Sequence, residues 1–141
     1  MQPVMTGDEV MSLLDNVFPQ IHEDGRVYQI ASISSGEAVV RFTANQRHLR
    51  PGGTVSGPSM MALADLAAYV VILGHIGPQA LAVTTNLNIN FLNKPGPGAM
   101  LATCRILKMG KRLIVVDCAI ESKGQDGLVA HATATYSVPP K

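Results

Sequence analysis

The sequence predicts an α+β fold in which a curved antiparallel sheet wraps one long, central, apolar helix. Three observations carry that expectation. Residues Met60 to Leu73 are apolar almost throughout, broken only by Asp65, and a helix without a polar face has to be enclosed. From Leu81 the pattern changes to period two, with Val83, Thr85, Leu87, Ile89 and Phe91 expected on one face and Thr84, Asn86, Asn88 and Asn90 on the other. Three further strand segments then follow through short turns, and short connections make neighbouring strands antiparallel.

Each element has its own signal. Thr6 with Glu9 three residues on forms a capping-box pattern, and Val10, Leu13, Leu14 and Val17 recur at helical spacing up to Phe18-Pro19. Val27 to Ile33 and Glu37 to Thr43 read as strands joined by Ser34-Ser35-Gly36, which has hairpin turn chemistry. Asn45 to Val55, with Arg47, His48, Arg50 and Pro51-Gly52-Gly53, reads as an irregular loop. Ser56-Gly57-Pro58 opens the main helix, with Pro58 expected at its first position and Gly74 or Gly77 at its end. After Lys94-Pro95-Gly96-Pro97-Gly98 come strands at Met100 to Met109, Leu113 to Ser122 and Leu128 to Val138. Gly110-Lys111-Arg112 and Gly124-Gln125-Asp126-Gly127 are their turns.

Composition narrows the function classes. Residues 1–141 are expected to form one domain. Hydrophobic residues make up 47% of the sequence against 15% charged, so part of the surface is expected to be hidden against copies of the same chain. A formal net charge of +1 with few aromatic residues argues against nucleic acid as a partner. The N-terminus lacks the basic and apolar regions of a secretory signal, which points to a cytoplasmic protein. The Met60–Leu73 run falls short of the roughly 20 residues that cross a bilayer, so no membrane partner is expected. Cys104 and Cys118 read as small buried hydrophobes. His22, His48, His75 and His131 lack ligand spacing and read as structural or solvated, so neither a metal nor a cofactor is expected.

Asp65 is the one charged residue between Arg50 and Lys94, and burying a lone carboxylate is costly unless it is paired or hydrogen-bonded. It either ties elements together through Ser59, Thr84 or a backbone amide, or it does chemistry. Gly57 lies where a helix begins, so its N–H either sits in an ordinary tight turn or can hold a developing oxyanion. Eight residues of helix separate the two by roughly 12 Å. If they cooperate on one substrate atom, they come from different subunits.

The segments Ser56-Gly57-Pro58 through Ala62-Leu63-Ala64-Asp65-Leu66-Ala67, Thr84-Thr85-Asn86-Leu87-Asn88-Ile89-Asn90-Phe91-Leu92, Gly110-Lys111-Arg112-Leu113 and the closing Val129 to Tyr136 strand resemble the phenylacetate-pathway type of hotdog-fold thioesterases. The resemblance covers about Arg50 to Ser137. It implies a hotdog fold and an acyl-CoA substrate hydrolysed to free acid and coenzyme A. It further implies a homodimer, usually paired into a homotetramer, with active sites at the dimer interface. It implies Asp65 as general base or nucleophile, the Gly57 amide as the holder of the thioester oxygen, and Thr84 as a hydroxyl that helps to position water. Gly110, Lys111 and Arg112 would lie near the coenzyme A phosphates, where cations supply affinity. Two positions depart from the pattern. Ser56-Gly57-Pro58 stands where His-Gly-Gly is common, and Arg50 where an amide is common, so the family's histidine role does not transfer. Ser56 and Arg50 are substrate-binding candidates, Arg50 through a carboxylate or phosphate. Alternatives are a non-catalytic acyl-CoA-binding hotdog protein, a hotdog dehydratase or hydratase with His48 as its acid–base group, and a purely structural module.

Overall fold

Thr6 caps the first helix as its sequence requires. In the computed structural model, which describes residues 1–140, its hydroxyl accepts from the Glu9 amide at 3.2 Å and the Glu9 carboxylate accepts from the Thr6 amide at 3.0 Å. The helix, α1 (Gly7–Val17), buries Val10 and Leu14 and leads into a 3-10 turn at Pro19–His22. Strands β1 (Tyr28–Ser34) and β2 (Glu37–Thr43) form a hairpin. A second 3-10 turn, Gln46–His48, precedes the long helix α2 (Gly57–Ile76). Strands β3 (Val83–Phe91), β4 (Ala99–Met109), β5 (Leu113–Ser122) and β6 (Leu128–Ser137) complete the chain.

The six strands make one antiparallel sheet in the order β1-β2-β4-β5-β6-β3. This is the predicted hotdog arrangement, and α2 is the element that carries the chain from β2 to the far edge. Inward residues such as Val40, Phe42, Met100, Ile114 and Ile120 pack with Leu63, Val70, Ile72 and Leu73 of α2 in one core. Ala130, Ala132 and Ala134 give β6 a shallow inner face that leaves room for a helix. One extra residue interrupts each of four ladders, at Ala31, Thr85, Leu107 and Val129. Such bulges bend and twist a strand, which is what a sheet curved around a helix needs.

Three expectations change, and of the two expected helix stops one is selected. Gly57, not Pro58, is the first residue of α2; Pro58 is second, where its missing N–H is equally harmless. Gly77, with φ 94°, ends the helix, whereas Gly74 lies within it. At 20 residues α2 is also long enough to cross a bilayer, so length does not decide that question. Burial does: 72% of its most apolar window is packed inside the fold. Finally, strict period two fails at the start of β3. Thr84 pairs with Tyr136 and Asn86 with Thr135, so Thr85 is an extra residue and Thr84 shares the inner face with Leu87, Ile89 and Phe91.

Cys104 and Cys118 face each other across the β4–β5 ladder as buried free thiols. Burial pushes the Cys104 thiol well above its ordinary range, as suits an unreactive core residue. β3 has only one neighbour, leaving its other edge unpaired, and Leu81, Val83, Phe91 and Leu92 are half-exposed or more beside it.

Candidate active site

The β3 bulge determines what Asp65 touches. Because Thr85 is extra, Thr84 turns inward and its hydroxyl donates to Asp65 Oδ1 at 2.6 Å. Tyr136, the ladder partner of Thr84, brings a second hydroxyl to the same Oδ1 at 2.6 Å and lies 2.9 Å from the Asp65 main-chain oxygen. Asp65 is thus a half-buried carboxylate with two donors, which meets the demand that a charge taken from water be hydrogen-bonded. Ser59, another expected partner, instead shares a hydrogen bond with Ser56 at 2.8 Å. Burial first, and the Asp65 charge second, raise the Tyr136 phenol far above its ordinary range, so it remains a protonated donor. Its ring stacks on Tyr69 at 6.1 Å, and the Tyr69 hydroxyl donates to the Ala80 carbonyl at 2.6 Å.

The first turn of α2 leaves one amide available. Pro58 has none, the Ser59 amide donates to Ser56 Oγ, and the Met60 amide donates to the Ser56 carbonyl. The Gly57 N–H has no acceptor among the described residues. Ser56 is therefore spent as the helix cap. Gly57 and Asp65 lie on the same helix, so the separation of roughly 12 Å holds within one chain.

The Gly110-Lys111-Arg112 turn joins β4 to β5 as expected, and a side chain at Gly110 would collide with the Leu113 carbonyl. Leu113 and Val83 both pair with Ser137, one position beyond the Thr84–Tyr136 pair. The two cations thus stand at the Asp65 end of the sheet, with the Arg112 guanidinium donating to the Val138 carbonyl at 3.3 Å. Gly57 packs at the other end, against the Phe91 ring. Arg50 is exposed in the loop before α2 and does not line the cavities beside Asp65.

A cavity of about 390 Å³ lies on one side of Asp65, and Phe18, Tyr28, Tyr69 and Tyr136, four of the six aromatic residues, line it. A more open cleft on the other side shares Phe18, Asp65, Tyr69 and Tyr136 and adds Val83 and Thr84. Tyr69 and Phe18, the C-cap residue of α1, line both spaces. Met60 is core and Met61 is on the surface; neither lines these spaces. His48 is largely buried but also lines the 390 Å³ cavity with Asp65, its Nδ1 accepting the Asn45 amide at 2.9 Å and its Nε2 standing 3.5 Å from Asp24. Sequence reasoning missed Tyr136 as a partner of Asp65. The available signal was a lone phenol at an inward position in a run of alanines and threonines.

The Thioesterase superfamily model matches residues 52–130, a span containing Gly57, Asp65, Thr84 and the Gly110–Arg112 turn. A Silicibacter sp. TM1040 protein, provisionally named a thioesterase, is 44% identical, with a TM-score of 0.88 over 99% of this chain and 96% of that one. A variant of the phenylacetic acid degradation protein PaaI from Thermus thermophilus is 25% identical, with a TM-score of 0.69 over 79% of this chain and 93% of that one. A 1,4-dihydroxy-2-naphthoyl-CoA hydrolase from Listeria monocytogenes serotype 1/2a is 26% identical over 80% of this chain and 91% of that protein. With more than half its length matched by the family model and its fold shared with these proteins, the chain belongs to the Thioesterase superfamily and is a thioester hydrolase.

Proposed function

We propose that the chain, acting as a single hotdog domain in the cytoplasm, hydrolyses an acyl-CoA to the free acid and coenzyme A at sites shared between two subunits of a homodimer. The observation that carries this reading is the Asp65 carboxylate, held by Thr84 and Tyr136 between two cavities. The acyl group occupies the aromatic-lined cavity. The Gly57 amide of the partner subunit donates to the thioester oxygen as it becomes negative, and Asp65 removes a proton from the attacking water. The tetrahedral intermediate then collapses, breaking the C–S bond and releasing coenzyme A as the thiolate. Lys111 and Arg112 contribute charge to the phosphates.

Two features support the shared site. Gly57 and Asp65 of one chain are too far apart to meet on one atom. The unpaired edge of β3 and its apolar flank suit a second copy. Dimers pairing back to back would give the tetramer that the family resemblance implies. Arg50, on the surface, is assigned to the rim of the coenzyme A site. The hydratase alternative would use His48, which lines the same cavity but has its Nδ1 taken by the Asn45 amide and its Nε2 turned toward Asp24, whereas Asp65 has an oxygen with no protein partner among the described residues.

The test is thiol release from a panel of acyl-CoAs by the native chain and by Asp65→Asn, which keeps the shape and removes the basicity. A folded variant should lose about 100- to 10,000-fold in kcat. Turnover that survives in Asp65→Asn would refute the role given to Asp65.

A further inference from the structure

Tyr136 is a large phenol on a strand face that is otherwise alanine. An inward residue of β6 can be alanine, as at Ala130, Ala132 and Ala134. At 136 the strand carries a phenol instead, only 3% exposed, and aims its one hydroxyl at Asp65. That hydroxyl lies within hydrogen-bond distance of both the main-chain oxygen and Oδ1 of the same residue, at 2.9 and 2.6 Å. A donor spanning a residue's backbone and side-chain oxygens restricts its side-chain rotation. Thr84 adds its own bond to Oδ1, so both donors fall on one carboxylate oxygen. Oδ2 has no protein partner among the described residues.

We infer that Tyr136 is a positioning residue: bridging the backbone and Oδ1 of Asp65, its hydroxyl fixes the carboxylate so that Oδ2 is the oxygen presented to the reacting group. The ring is braced for this task. It stacks on Tyr69 with an interplanar angle of 16°, and Tyr69 meets Phe18 edge-on at 6.4 Å. The phenol stays protonated because burial and the neighbouring carboxylate disfavour its anion, so it acts by holding Asp65 and delivers no proton itself.

The inference rests on the proposed hydrolysis, and Tyr136→Phe tests it, since only the hydroxyl is lost. Misplacing a reacting group by about 1 Å costs up to about 100-fold, so kcat should fall about 10- to 100-fold while KM stays within about twofold. Tyr136→Met, a second hydroxyl-free variant, should show the same split and covers a failure of the first to fold. Ile120→Val, a core truncation away from the site, should lose stability without losing kcat, which separates the two effects. A hydroxyl-free variant with kcat within about twofold of native, or one in which KM rises at constant kcat, would overturn the positioning role. Asp65→Asn keeps the failures apart. If it is inactive while Tyr136→Phe is native-like, only the inference fails; if it is active, the underlying hydrolysis reading fails as well.

Discussion

At the scale of single residues, two kinds of information differ in legibility. Asp65 stands out in the linear sequence because a lone charge in an apolar helix needs a partner wherever the helix lies. Gly74 does not, since a glycine near a helix end looks like a stop signal. In the fold it is a contact point: a Cβ there would stand 2.9 Å from Ile33 Cγ2, and its carbonyl accepts the Val4 and Met5 amides. Gly74→Ala should therefore destabilise the chain by about 1 to 3 kcal/mol through overpacking, although alanine is the better helix former. Urea unfolding would show this as a lower midpoint at unchanged slope. A midpoint at or above native would mean that β1 yields without strain.

At the scale of elements, the bulge in β3 matters most. Alternating hydrophobicity identifies the strand but cannot reveal one inserted residue, because Thr84 and Thr85 are chemically alike. The insertion decides which of the two hydroxyls faces Asp65; Thr85 instead donates to the Thr135 carbonyl at 3.2 Å. Deleting Thr85 should remove the bulge yet leave Thr84 paired with Tyr136 and facing Asp65. Thr84→Val, which removes the hydroxyl at similar size, loses a hydrogen bond to a charged group worth about 1.5 to 3 kcal/mol, so kcat should drop by about tenfold or more in a chain that still folds. A fully active Thr84→Val variant would show that Thr84 has no part in holding the carboxylate. The two helices need no such arbitration. Their caps are local features: Thr6 caps α1 where the sequence places it, and Ser56 caps α2 one residue earlier than a start at Pro58 would require.

At the scale of the whole molecule, one chain holds the parts of a site without bringing them together. Asp65, Thr84, Tyr136 and the Gly110–Arg112 turn gather at one end of the sheet, while Gly57 stands at the other. Mixing two inactive chains tests whether a second copy completes the site. Gly57→Pro removes the amide donor while suiting the start of a helix, and Asp65→Asn removes the base. Each homodimer should be inactive. In a mixed dimer one site has both groups intact and the other neither, so random reassembly of equal amounts should restore about a quarter of native activity. No recovery from mixed dimers shown to form would place both groups of each site in one chain.

What the sequence by itself determined was local or periodic: the caps, the turns, the enclosed helix, the order of strands, the isolation of Asp65 and its helical distance from Gly57. These follow from interactions between near neighbours and from patterns that repeat along the chain. Only the tertiary structure decided the partners of Asp65, the inward turn of Thr84, the close approach at Gly74 and the commitment of His48 to Asn45 and Asp24. The physical reason is distance along the chain. Tyr136 lies 71 residues from Asp65, and a contact that long depends on strand register and on a single bulge, neither of which any local stretch of residues encodes.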